Sequence, residues 1–269
     1  MSDSITVFNR AVVRLRRDRA APALEKCAFL FKEAAERLAD RLDDVKRRFP
    51  AALDLGCHGG QLGRRLNGRG GVETLVQCDL SLEMARRAGN LCLAADEEFL
   101  PFAPQSFDLI LSCLSLHWVN DLPGALVQAR RALKADGLFL ASMLGGETLK
   151  ELRQVLAEAE ISLDGGLSPR ISPFADVKDA GDLLQRAGFA LPVADSDAVT
   201  VLYADPLELM ADLRAMGESN AVIENRKGLT RRRTMTQALD DYQQTFATDD
   251  GRVTATFQVI YLTGWVAQV

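Results

Sequence analysis

Five short apolar runs punctuate the first half of the chain: AALDLG from residue 51, TLVQCD from 74, LCLAAD from 91, FDLILSC from 107 and LFLASML from 138. Each is nearly unbroken rather than alternating, the pattern of strands covered on both faces. Between them, apolar residues recur every three to four positions, as on one face of a helix. SLEMARRAG reads as a helix capped by Ser81 and closed by Gly89. DLPGALVQARRALKADG reads as another, with Asp121 near its cap, Pro123 in its first turn and Gly137 as its stop. Strands alternating with helices predict a parallel sheet with helices on both sides.

Upstream, residues 6–48 keep helical spacing with a break near Pro22. Downstream, ETLKELRQVLAEAE, DVKDAGDLLQRAGF, PLELMADLRAMG and residues 231–247 read as helices, and GGLSPRISPF as a loop. AVTVLY and VTATFQVIYLTGW read as two late strands, free to pair antiparallel at the sheet edge. The expectation is one α/β domain over residues 1–269. It comprises an N-terminal helical arm (1–49), a cofactor-binding core (50–146), and covering helices with an edge hairpin (147–269), the hairpin strands being separated by a helical insertion.

Composition adds limits. At 48% hydrophobic and 26% charged the chain is ordinary for a globular protein, and a net charge of −5 argues against general nucleic-acid binding. Two basic clusters stand out: Arg10, Arg14, Arg16, Arg17 and Arg19, and Arg226, Lys227, Arg231, Arg232 and Arg233. They read as solvated helix faces, with a docking surface for an acidic or membrane-bound partner as the competing reading. Five scattered cysteines without a C-x-x-C pair read as reduced core residues of a cytosolic protein. No apolar run approaches the roughly 20 residues of a membrane span, and the first ten residues lack an apolar signal core, so a soluble, cytoplasmic protein without a transmembrane segment is expected.

The chemistry of an open parallel sheet lies just after its strands. After the first comes GCHGG. After the second comes Asp79, placed to accept hydrogen bonds from vicinal ribose hydroxyls; after the third come Asp96 and Glu97, Asp96 being able to accept from an exocyclic amine. Ser112 and LSLHW follow the fourth. The turn is neither G-x-G-x-x-G nor a phosphate loop. Its order, Asp54 two residues before Gly56 and Gly60 four after, resembles the first motif of class I S-adenosylmethionine-dependent methyltransferases, except at His58. The resemblance continues through VQCDLSLEMARRA, LAADEEFLPFAPQSFDLILSCLSLHW and ALKADGLFLASMLGGETLKEL. It implies a Rossmann-like seven-stranded sheet and S-adenosylmethionine or S-adenosylhomocysteine as cofactor. The backbone of Gly56, His58 and Gly60 would line its methionine portion. Asp79 would hold the ribose, Leu80 or Met84 would pack against adenine, and Asp96 would accept from its amine.

VFNRAVVRLRRDRAA, GGETLKELR, GGLSPRISPF, LMADLRAMGESNA and ATFQVIYLTGW extend the resemblance outside that core. Together with SLSLHWVNDLPGAL they resemble the complex I assembly factor 5 family, which is related to the malonyl-carrier-protein O-methyltransferases of biotin synthesis. This implies an enzyme acting on an iron–sulfur subunit of NADH:quinone oxidoreductase, by methylation or by arginine hydroxylation. A non-catalytic assembly factor, docking through its basic patches with peripheral membrane contact open to it, and a carrier-protein methyltransferase stand as alternatives. His117 is the expected acid/base or substrate-orienting residue, and Trp118 and Glu147 the expected substrate contacts. Arg10 is expected over the cofactor carboxylate. No metal site is expected, although His58, His117 and Asp121 or Glu147 are weighed as a two-histidine, one-carboxylate iron site.

Overall fold

In the computed structural model, which describes residues 6–89, 91–225, 228 and 230–268, the arm is three helices: α1 (Arg10–Ala20), α2 (Leu24–Cys27) and α3 (Phe29–Asp43). The interruption falls beside Pro22, as its missing N–H requires. Then β1 (Ala51–Leu55), α4 (Gln61–Leu66), β2 (Thr74–Asp79), α5 (Leu82–Ala88), β3 (Cys92–Ala94), β4 (Phe107–Cys113), α6 (Leu122–Ala132) and β5 (Leu133–Leu144) follow in alternation. The second half adds α7 (Lys150–Asp164), α8 (Val177–Arg186), β6 (Ala190–Tyr203), α9 (Pro206–Met216), α10 (Arg232–Phe246) and β7 (Val253–Trp265).

The strands form one sheet in the order β3-β2-β1-β4-β5-β7-β6. The first five are parallel, and β7 runs antiparallel between β5 and the edge strand β6. The expected seven-stranded α/β fold is therefore present, with α9 and α10 inserted between the last two strands. Successive strand residues point to opposite faces. Ala52, Leu109, Leu111, Leu138 and Leu140 enter a core with α3, α7, α9 and α10, whereas Leu53, Leu55, Ile110, Phe139 and Ala141 enter another with α6 and α8. Both faces need apolar residues, which is why the strand sequences do not alternate.

One boundary departs from expectation. Gly137 does not stop α6; the helix ends at Ala132 and LKADG already belongs to β5. Leu133 pairs with Phe107, and a register shift carries the next pair to Leu109 and Leu138. Asp136 takes a left-handed φ of 62° within the shift, and its N–H donates to the carbonyl of Val266. Sheet hydrogen bonds thus overrode helical spacing.

Gly60 opens α4 at φ 80°, where an added Cβ would lie 2.6 Å from Cα and the carbonyl oxygen of Ala88. Gly68 has φ 83° but open space around it. Gly68→Ala should therefore cost only about 1 kcal/mol, the conformational penalty alone. Gly60→Ala should cost about 3 kcal/mol or more, because backbone must also move. Urea unfolding of both variants checks this ordering.

Candidate cofactor and acceptor site

Strand order reverses between β1 and β4, which opens a crevice beyond their carboxyl ends. The turn after β1 is left-handed at Gly56 (φ 70°), His58 (φ 47°) and Gly60. At Gly56 a Cβ would fall 2.1 Å from Ser115 Oγ, so the backbone there passes directly against the segment after β4.

His58 bears a conformational cost of roughly 1–2 kcal/mol, softened because histidine tolerates this region better than most residues. Its contacts offset the cost. The His58 N–H donates to Asp79 Oδ2 at 3.0 Å, tying the turn to the end of β2. The imidazole packs at a tilt against Phe31, 4.4 Å between ring centres, and Nε2 donates to the carbonyl of Leu114 at 3.0 Å. Burial, reinforced by the charge of Arg17, lowers the His58 pKa and keeps the ring neutral. The side chain thus packs between α3 and the end of β4, while its backbone serves the turn.

Asp79 is fully buried and accepts from the N–H groups of His58 and Ser81, the latter at 2.8 Å. It also faces Arg17 of α1, whose Nη1 is 3.2 Å from Asp79 Oδ2 and 3.2 Å from Glu97 Oε1. Arg17 Nη2 donates to Ser115 Oγ at 2.9 Å, and that hydroxyl donates to Glu97 Oε1 at 2.5 Å. Burial would push the Glu97 carboxyl up, but Arg17 and Arg10 override it and hold the group well below its usual range. Arg10 reaches Asp96 at 2.6 Å and also Glu97. It therefore covers the acids after β3, where a cofactor carboxylate would be repelled, correcting the expectation for Arg10.

The carboxylate after β2, the open backbone turn beside it and the acids after β3 fit the ribose and amine of an adenosyl group. Arg17 is the discordant element, because its guanidinium lies across the carboxylate that the ribose would use.

A second constellation lies after β4, in the 3-10 turn Leu116–Trp118. His117 Nε2 donates to Glu218 Oε2 at 2.9 Å, Trp118 Nε1 donates to the same oxygen at 2.9 Å, and His117 Nδ1 accepts from the N–H of Leu144 at 3.4 Å. Burial would raise the Glu218 carboxyl, but the adjoining His117 outweighs it and keeps the group lowered, hence ionised. Glu218 also lines a cavity of about 220 Å³ walled by Leu152, Leu156, Phe174, Met210 and Met235 from α7, α9, α10 and the loop before α8, with Arg170, which is paired to Glu160, and Arg214 also on its wall.

Other expected site residues fall elsewhere. Asp54 is buried and turned to Gln77, which donates to it at 3.1 Å. Met84 is buried in the main core with residues of the arm, whereas Leu80 packs beside Phe8 and Trp118. Ser112 is buried, and its hydroxyl has no hydrogen-bond partner among the described residues. Trp118 packs edge-on against Phe8 at 5.4 Å instead of walling the cavity. Glu147 sits at the surface, 3.4 Å from Lys150, outside the site. Nor is the iron-ligand set brought together: His117 binds Glu218, His58 binds a carbonyl and Asp121 caps α6. Among the described residues no cluster of three metal-ligating side chains occurs. Of the second basic cluster, Arg226 and Lys227 lie outside the described residues, and Arg231 pairs with Asp164 at 3.1 Å. No helix among the described residues is long and apolar enough to cross a membrane.

Sequence reasoning missed Arg17, Ser115 and Glu218. Arg17 lay in a run of arginines, Ser115 was overshadowed by the adjoining LHW, and Glu218 sat in a stretch, GESN, with no spacing to mark it.

The sheet order, the left-handed turn and the acids at successive strand ends define a class I methyltransferase fold. A family model described as a methyltransferase domain matches residues 53–141. Among solved structures, YcgJ of Bacillus subtilis (TM-score 0.59, 16% identity, 86% of this chain and 98% of that one) shares the fold. So does the [4+2]-cyclase SpnF (TM-score 0.53, 18% identity, 88% and 83%). Curated relatives are more specific. Arginine-hydroxylase NDUFAF5 of Danio rerio is 46% identical over 97% of this chain and 83% of its own length, and that of Homo sapiens 44% over 97% and 77%. The malonyl-[acyl-carrier protein] O-methyltransferase of Halorhodospira halophila is 35% identical over 96% and 88%. The chain belongs to the complex I assembly factor 5 family.

The buried Asp54 gives a pH prediction. Burial pushes its carboxyl up to about 7, so the folded state favours the neutral form. Its contribution to stability is complete below the unfolded pKa and is lost as pH rises through the folded value. Asp54→Asn should therefore come close to wild type near pH 4 and exceed it by on the order of 4 kcal/mol at pH 8, read from thermal unfolding across that range.

Proposed function

We propose that this protein binds S-adenosylmethionine at the 56–60 turn and Asp79, and modifies an arginine side chain of an iron–sulfur subunit of NADH:quinone oxidoreductase. The observation that carries this reading is the position of Glu218. Its carboxylate belongs both to the His117–Trp118 constellation after β4 and to an apolar cavity between the covering helices. A largely apolar cavity with an ionised carboxylate, its Arg170 already paired with Glu160, suits a side chain with a hydrocarbon stem and a cationic tip. The names of the vertebrate relatives support arginine as that side chain.

When bound, the cofactor supplies a methyl group activated on a sulfonium. The protein's own contribution is alignment and exclusion of water. Glu218 holds the guanidinium, His117 fixes the carboxylate that holds it, and Phe174 and Met210 close the walls. Hydroxylation of the same arginine needs an oxidant but uses the same acceptor cavity.

Mass spectrometry of the iron–sulfur subunit from wild-type and deletion strains tests the reading. An arginine peptide from the deletion strain should lack the mass of one methylene or one oxygen, and which of the two is missing identifies the reaction. Identical masses would reject the reading and favour docking alone. With purified protein, Glu218→Gln should lower modification about ten- to a hundredfold, the worth of one charged hydrogen bond, while cofactor affinity stays within about twofold.

A further inference from the structure

We infer that α1 is a latch on the cofactor crevice: Arg17 holds the carboxylate of Asp79 and Arg10 that of Asp96, the two an adenosyl group must claim, so the cofactor enters only as α1 swings out. This rests on the cofactor reading above.

The Arg17 side chain is 1% exposed, and its Nη1 lies 3.2–3.3 Å from both oxygens of Asp79. Each of those oxygens already accepts from a backbone N–H, of Ser81 or of His58. A carboxylate so engaged has no face left for a ribose diol until the guanidinium departs. Arg10 occupies the acids after β3 in the same way. One helix thus covers both ends of the adenosine position.

The arm is anchored by contacts that can be released separately from its charges. Phe8 packs on Trp118, Asn120 Oδ1 accepts from the N–H groups of Val7 and Phe8 at 2.9 and 2.7 Å, and Asn9 N–H donates to the carbonyl of Ala221 at 2.9 Å. Arg16 Nη1 donates to the carbonyls of Ser219 and Asn220. The segment it grips follows Glu218 directly. Opening α1 therefore also frees the lip of the acceptor cavity.

Calorimetric titration of the full chain with S-adenosylhomocysteine tests the latch. Arg17→Ala removes the competing group, and affinity should rise at least about tenfold, because apparent affinity is intrinsic affinity scaled by the open fraction. Removing one partner of buried charges endangers folding, so Phe8→Ala serves as a second variant. It loosens the arm with the carboxylates still neutralised and should also tighten binding. Affinity unchanged or weakened in both variants, with wild type binding normally, overturns the latch and leaves the cofactor reading standing. No binding by wild type or either variant overturns the cofactor reading and the latch with it.

Discussion

A single guanidinium organises the functional edge of this molecule. Arg17 leaves α1, enters the crevice between β1 and β4 and meets Asp79, Glu97 and Ser115 at once. Burying either carboxylate alone would be costly, and burying an unpaired arginine equally so. Together they are tolerated, and each fixes something further. Asp79 receives the N–H of His58 and so sets the turn, Glu97 receives Arg10 and so seats the start of the arm, and Ser115 fixes the segment that passes against Gly56.

The left-handed turn follows from the same constraint. Its backbone must approach Asp79 on one side and Ser115 on the other, and residue 58 pays in strain for doing so without being glycine. The imidazole is compensated beneath the turn, on Phe31 and the carbonyl of Leu114. A neutral ring fits there, beside the fixed charge of Arg17. The carboxyl ends of β1, β2 and β4 are therefore followed by a strained turn, a buried charge cluster and the His117–Glu218 pair, all bearing on the crevice.

The sheet was legible because its strands had to be apolar on both faces, and that requirement is written locally in each run. Asp79 and Asp96 were legible because they stand where strands end. Arg17 was not: its partners lie 62 and 80 residues away, and in sequence it is one arginine among several on a basic helix. Of that cluster Arg14 and Arg19 remain exposed, as a solvated face requires, whereas Arg10, Arg16 and Arg17 turn inward. Glu147 erred in the opposite direction. It follows a strand, but the chain turns away there, and the exposed side chain pairs with Lys150. Gly137 misled because a glycine after helical spacing looks like a stop, while the pairing of Leu133 with Phe107 is a tertiary fact.

The central claim is that α1 and the adenosyl group exclude one another at Asp79. Hydrogen–deuterium exchange of the full-length protein, with and without S-adenosylhomocysteine, tests it most directly. The account predicts slower exchange over residues 56–60 together with faster exchange over residues 10–20 when the ligand is bound. Slower or unchanged exchange over residues 10–20, with residues 56–60 protected, would contradict it and make α1 a lid that closes on the cofactor.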